Sequence, residues 1–527
     1  MKLYKTGFSE LLVLILLSFA VFLFIYASFP SLDFPYGDTW DTPVRWVLKH
    51  QVHSIKVSGE TAYSHFVEFL SSLFNQHNES RKVTVKLLAF LIDPIVPGFG
   101  IFWHLLAFVA RVLTIVVVTL PLLFGLNNPE IICNRKSFAF SILYFLAGGG
   151  LFVYASGPAN LWNGLWEVQT SFFLGILFAM LAVSCYGELI LKFLNSGLDV
   201  ENTHATIGQN GFIQSRLLSI PAIALYAAIS SWLSIFSFSG NVCIAVVCIG
   251  LMTYGILFKL KQGARFIDIA HCRVFAWSCV SLVLIMLSAG LFFYGWISPP
   301  HHASMRGGID FDYIKFFLGN FYQFLIDTDS TLYLIFFSPV IVLGVLAVYF
   351  LAMGRQVPQV FLITGSQLIF LFGLACASSI GRSGVSSEYA LAPRYNSMSI
   401  LYGYLSLLLM YSSIAAVGFP KALKVLSSCL VVAGMLVGVA ANLKWYKKIY
   451  LHRARLKQSE LCFKRVYLTS NPIAYKNAES AGFVCHPEYY PKYRELGAWL
   501  KKYACSNAEL LRKSRNAQVI CGYRGQS

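Results

Sequence analysis

Residues 31–86 read SLDFPYGDTWDTPVRWVLKHQVHSIKVSGETAYSHFVEFLSSLFNQHNESRKVTVK. This is the one long polar interval in the first half of an otherwise apolar chain, and it follows the first hydrophobic segment directly. Asp33, Asp38, Asp41, Glu60, Glu68 and Glu79 supply a quarter of the chain's 24 acids, and His50, His53, His65 and His77 are four of its 11 histidines. Tyr36, Trp40, Trp46 and Tyr63 are interleaved with them. Acids, histidines and rings beside a membrane suit a polar ligand, and sugars stack on such rings. The same pattern also describes an interfacial loop whose aromatics sit at headgroup level.

Outward from this interval the chain is apolar. Of 527 residues, 57% are hydrophobic, 16% aromatic and 12% charged, with a mean hydropathy of +0.63. Soluble domains carry about 25% charged residues, so the composition is that of an all-α polytopic membrane protein. The net charge of +17 belongs to loops facing anionic lipid, or to a groove for a lipid-linked phosphate, and not to nucleic-acid binding. Lys2 and Lys5 flank a first apolar run, and Ala27-Ser28-Phe29-Pro30 is a poor cleavage site, so the run reads as an uncleaved span.

A span needs about 20 apolar residues. Eleven segments qualify, near 8–29, 101–126, 137–156, 170–194, 217–238, 241–260, 273–298, 331–352, 358–379, 397–416 and 422–442. Residues 84–97 are apolar but interrupted by Lys86, Asp93 and two prolines, and read as a helix lying against the bilayer. Basic residues mark every second loop: Arg135 and Lys136, Lys192 and Arg216, then Lys259, Lys261, Arg265 and Arg273, then Arg355 and Lys421. By the positive-inside rule these loops and the N-terminus are cytoplasmic. Loops 31–100, 157–169, 299–330 and 380–396 then face outward. The domains expected are a transmembrane unit, 1–442, with an outer loop over 30–100, and an extracytoplasmic tail, 443–527. Cys462, Cys485, Cys505 and Cys521 in that tail suit disulfides in an oxidising compartment. The other eight cysteines lie in or beside spans and read as packing residues.

The nucleotide and hydrolase motifs are missing: there is no P-loop, GxGxxG, HExxH or GxSxG in a usable context. Chemistry, if present, falls to the outward loops and to a substrate that needs no ATP there. Thr42-Pro43 reads as a helix start, placing Asp38 and Asp41 in the turn before it, where a plain dipole partner would also sit. Tyr63, Phe66, Val67, Leu70, Leu73 and Phe74 line one face of a second helix, expected flat in the interface. A polar cluster, 76–82, follows it, with His77, Glu79 and Arg81.

Three stretches carry a resemblance: QHNESR at 76–81, NLWNGLWEVQTSFFLG at 160–175 and GRSGVSSEYALAPRY at 381–395. With the aspartate-bearing first outer loop and its two interfacial helices, they resemble the C-type glycosyltransferase superfamily of polytopic membrane proteins. The nearest in kind are bacterial O-antigen-modifying, serotype-converting glucosyltransferases. The resemblance covers about the first three-quarters of the chain and is pattern-level. It implies a base in the first outer loop, Asp38 or Asp41; the family's acid pairs are often adjacent, whereas here Thr39 and Trp40 intervene. It implies a polyprenyl-phosphate sugar donor, a glycan or lipid-linked glycan acceptor, membrane lipids around it, and a bacterial inner-membrane location. No cofactor is required, and a divalent ion on the aspartates is left open.

The 380–396 segment points the same way by itself. Arg382 and Arg394 suit a two-pronged grip on the donor phosphate, with Arg81 a third such group, and Tyr389 and Tyr395 stand beside them. The alternative is a pair of snorkelling arginines. Trp162, Trp166, Glu167 and Gln169 form another outward group, suited to a sugar ring or a re-entrant turn, or to an aromatic belt; with Trp40, His77 and Glu79, the residues Trp162, Trp166 and Gln169 complete the expected substrate contacts. Arg111 sits mid-span, facing either Asp93 or a phosphate. The competing function is a transporter or flippase for a lipid-linked glycan, which would use the same arginines without a base. A third reading is a non-catalytic scaffold.

Overall fold

The computed structural model describes residues 2–27, 62–76, 80–92, 101–125, 145–157, 169–196, 219–297, 310–322, 359–384, 395–416, 425 and 428–446. Among them every regular element is helical: α1 Lys2–Ala27, α2 Ala62–Phe74, α3 Val83–Ile92, α4 Ile101–Gly125, α5 Phe145–Ser156, α6 Thr170–Asn195, α7 Ile220–Ile235, α8 Cys243–Lys261, α9 Phe266–Ala270, α10 Arg273–Phe293, α11 Phe311–Tyr322, α12 Gln359–Arg382, α13 Asn396–Ala416 and α14 Ser428–Tyr446. Ten of the eleven expected spans coincide with a described helix; 331–352 lies outside the described residues, as does the tail. Among the described residues, six helices are long and apolar enough to cross a membrane: those within α4, α6, α8, α10, α12 and α14.

Local chemistry explains the boundaries. Ser219 caps α7, its hydroxyl accepting from the Ala222 N–H at 3.4 Å, with Pro221 in the first turn. Asp310 caps α11 by accepting from the Tyr313 N–H at 2.8 Å. α8 stops at Gly263, whose φ of +88° only glycine adopts without strain.

α6 is the central post. Of its apolar window 89% is buried, against 33% for α10 at the periphery. α4, α7, α8, α10 and α12 pack around it. Apolar contact alone does not favour protein over lipid, so polar bonds and close approach fix the neighbours. The Ser234 hydroxyl donates to Gly175 O at 2.7 Å, Ser281 to Ala224 O at 3.0 Å, and Gln367 Nε2 to Ser184 Oγ at 2.9 Å. Beyond α4, the π-helical last turn of α5, Leu151–Ser156, packs on α1, where Ser18 and Ser156 share a hydrogen bond.

Two segments between the expected spans are helical. The outward loop 299–330 contains α11, which is wedged between α12 and α13: Phe316 is fully buried, Phe317 packs on Phe372 at 4.8 Å and Phe321 on Tyr402 at 4.4 Å. Its FxxxxFFxxxF run reads as loop only because it is shorter than a span. Of the segment 84–97, read as a helix lying against the bilayer, residues up to Ile92 form α3. Val83, Thr84, Val85, Lys86 and Ala89 face protein, and Phe90 and Leu91 are exposed. Lys86 is the reason: a buried ammonium needs acceptors, and protein supplies them.

Candidate functional site

The helix ends sort into two poles. At one, α3 meets the end of α7, where the Thr84 N–H donates to Phe236 O at 3.3 Å. Ser80 meets Ser239 in the α7–α8 turn, and Gln76 exchanges two hydrogen bonds with the backbone of Ile297 beyond α10. Thr170 at the start of α6 donates to Trp103 O at the start of α4. Leu374 of α12 touches the α7–α8 turn at Gly240, so Arg382, two turns further along, projects past this pole. Tyr395, opening α13, sets its ring edge-on against Phe316 at 5.6 Å. This is called the loop pole: Gln76, residues 80–86, Gln169, Arg382 and Tyr395 share it.

Two buried cations fasten α2 and α3 there. Arg81 donates from Nε to Phe292 O at 2.9 Å, from Nη1 to Phe74 O at 2.6 Å, and from Nη2 to Tyr294 O. Lys86 Nζ donates to Ser72 O, Leu73 O and Asn75 O at 3.0, 3.1 and 2.9 Å. These carbonyls are the orphan acceptors at the C-terminal ends of α2 and α10, where positive charge is favoured. Lys82 between the two cations has φ +51°, a conformation a non-glycine residue holds only when its surroundings impose it. Burial, followed by the nearby charges of Lys82 and Arg81, pulls the Lys86 pKa down to about 7. Three of the five Arg81 N–H bonds thus go to carbonyls, so its placement is first that of a helix clamp.

A second polar group lies inside the bundle. Arg111 of α4 is 1% exposed. Its Nε donates to Ala107 O at 3.1 Å, and its guanidinium lies over the Phe173 ring at 4.9 Å. Helical side chains lean toward the N-terminus, which carries this charge toward the loop pole. Tyr154, in the π turn, is beside it.

Of the expected site residues, Arg81, Gln169, Arg382 and Tyr395 are described and lie at one pole. Asp38, Trp40, Asp41, His77, Glu79, Trp162, Trp166, Tyr389 and Arg394 lie outside the described residues, as do Asp93 and the four tail cysteines. The seven described cysteines are thiols. Among the described residues no three His, Cys, Asp or Glu side chains converge as metal ligands; the aspartates that would hold a divalent ion are not among them.

Sequence reasoning missed Lys86 as an anchor, although its intrusion into VTVKLLAFLI is the signal that would find it. It also missed Asn320 of α11, fully buried, whose amide donates to Phe316 O at 3.0 Å. Nothing local marks that asparagine, because its burial depends on α12 and α13.

No family model matches the chain and no curated protein matches it. Among solved structures, the chain is similar to the archaeal oligosaccharyltransferase AglB from Archaeoglobus fulgidus, in complex with an inhibitory peptide and a dolichol-phosphate. The TM-score is 0.40 at 12% identity, over 92% of this chain and 60% of that one. The chain therefore spans 60% of that protein's length, and a likeness this low assigns neither fold family nor site.

Proposed function

We propose that the protein is a membrane glycosyltransferase of the C type. It moves a hexose from a polyprenyl-phosphate carrier to a glycan acceptor, such as O-antigen, at the loop pole of the bundle. The observation that supports this best is the double clamp. Arg81 and Lys86 fasten the end of the acid-rich stretch to the pole where Arg382 and Tyr395 also lie. Transfer to a hydroxyl needs a carboxylate held in place, and a loop pinned at its end to a rigid bundle meets that need better than a free one.

In this reading Asp38 or Asp41 takes the acceptor proton as the acceptor oxygen attacks the anomeric carbon. The bond from that carbon to the carrier phosphate breaks, and the polyprenyl phosphate leaves with the negative charge. Arg382 and Arg394 stabilise that charge, and Arg81 contributes the N–H bonds its carbonyls leave over. Trp40, Trp162, Trp166, Tyr389 and Tyr395 offer ring faces, while His77, Glu79 and Gln169 offer hydrogen bonds to the sugar. The loop pole faces outward from a bacterial inner membrane, the N-terminus is cytoplasmic and the 443–527 tail is outside. The test is structural analysis of surface polysaccharide from cells with and without the protein. A sugar branch that appears only with the protein supports transfer, and identical glycan structures overturn it. Orientation is checked with an impermeant maleimide in intact spheroplasts of a cysteine-free background: a cysteine at Ser58 should react and one at Gln262 should not.

A transporter for a lipid-linked glycan is the second reading, favoured by one observation: Arg111 buried mid-span beside a π turn, the kind of intramembrane charge that lines anion paths. It predicts unchanged glycan chemistry with altered amount.

A further inference from the structure

The pole opposite Arg81 and Lys86 has a built feature of its own. α8 ends with the Gln262 N–H on Phe258 O at 3.1 Å and the Ala264 N–H on Lys259 O at 3.1 Å, around the left-handed Gly263. The chain then makes the short helix α9. Arg265 caps it: Asp268 Oδ2 accepts from the Arg265 N–H at 3.3 Å and from Nε at 3.0 Å, and Oδ1 accepts from Nη2 at 3.1 Å. Beneath lies a separate small core, in which Ala264, Ile269 and Val274 pack on Phe193 of α6. Lys259 ties the same corner down by donating to Ser196 O at 2.8 Å. The turn is therefore a fixed platform.

What it presents is unusual for a loop. Phe266 is 63% exposed and Ile267 58%, while Ile269 carries the inward packing. Exposed Leu257 and Leu260 continue this apolar surface onto α8. Lys261, Arg265 and Arg273 surround it, all exposed. Between 259 and 273 four cations stand against one acid, Asp268, whose oxygens already accept from Arg265. Two bulky apolar side chains held rigidly outward among cations, next to a lipid-facing helix, match the chemistry of an anionic bilayer interface.

We propose that the 262–272 turn is a docking surface for anionic phospholipid. Phe266 and Ile267 enter the acyl boundary, and Lys261, Arg265 and Arg273 face the headgroups. The surface seats this pole on the leaflet that carries negative lipid and fixes the depth of α8 and α10. It rests on reading those helices as spans and is independent of glycosyl transfer.

The test uses the full chain in nanodiscs of phosphatidylcholine, with and without phosphatidylglycerol. A solvatochromic amino acid is placed at position 267, and lipid retention is read by native mass spectrometry. The probe should be blue-shifted and quenched by nitroxide lipid rather than by aqueous iodide. Wild type should retain phosphatidylglycerol over phosphatidylcholine. The Lys261→Gln/Arg273→Gln variant should lose about fivefold of that preference per cation removed, and the preference should weaken at high salt. The Lys261→Arg/Arg273→Lys variant should keep it, which separates charge from folding. A water-exposed probe overturns the proposal, as does equal retention of both lipids by wild type. A probe shielded only in native membranes also overturns it, by placing a protein there.

Discussion

The two poles of the bundle use their cations in opposite ways. At the loop pole Arg81 and Lys86 are buried, and between them they donate to six backbone carbonyls. At the other pole Arg273 is exposed, Arg265 is exposed and paired with Asp268, and among the described residues Lys259 is buried against a carbonyl. A buried cation acts through geometry, because removing it strands acceptors that water cannot reach. An exposed one acts through its field, which salt screens. The first pole thus uses its cations as fixed contacts, and the second leaves charge exposed.

The largest effect that would sharpen this contrast is catalytic. Asp→Asn at 38 or 41 keeps size and removes the base. One of the two variants should lose transfer by about 10²–10⁴-fold, and the other should lose less, in an assay with purified lipid-linked donor at normal protein level. Wild-type rates in both would break the claim that the loop pole is the chemical one, and Glu79 and His77 would be tested next.

Arg81→Met comes next. It strands the carbonyls of Phe74, Phe292 and Tyr294, and should destabilise the protein by about 3 kcal/mol, read as a fall in thermal midpoint in detergent. Arg273→Gln at the exposed pole should leave the midpoint where it is. Equal shifts in the two would erase the distinction between the poles.

Arg382→Ala should weaken donor use by roughly tenfold or more, since a hydrogen bond to a charged partner contributes about 1.5–3 kcal/mol. Arg382→Lys should recover part of the loss, because it keeps charge but not the planar fork. Normal KM for the donor in both variants identifies Arg382 as a snorkelling anchor.

The smallest effect is a pH dependence. The Lys86 pKa lies near 7 in the fold against an ordinary 10.5, so the unfolded chain holds that proton more tightly. The penalty for burying the charge is complete below pH 7 and fades as pH rises toward 10. The thermal midpoint of wild type relative to Lys86→Met should therefore rise between pH 7 and pH 10. A flat difference would show that the ammonium is not buried in solution.

Much of the architecture is legible in the residues themselves. Hydrophobic runs of span length locate ten described helices, because a bilayer imposes length and apolarity on each segment separately. Consecutive spans must reverse direction, and Gln76, residues 80–86, Gln169, Arg382 and Tyr395, all beside alternate loops, share one pole. The amphipathic stripe from Phe66 to Phe74 likewise marks α2 before any packing is known. Those features are set by one segment and its solvent.

What only the tertiary structure decided depends on partners distant in the chain. Arg81 reads as a phosphate ligand from QHNESR, but its acceptors at 292 and 294 lie more than 200 residues away. α11 reads as loop until α12 and α13 close over Phe316 and Asn320. α6 and α10 look alike as sequence, with hydropathies of 2.0 and 2.2, yet one is the central post and the other is largely exposed at the periphery. Apolarity cannot separate them, because lipid and protein interior are equally welcoming to a leucine; small residues and hydroxyls meeting across helices choose the neighbours.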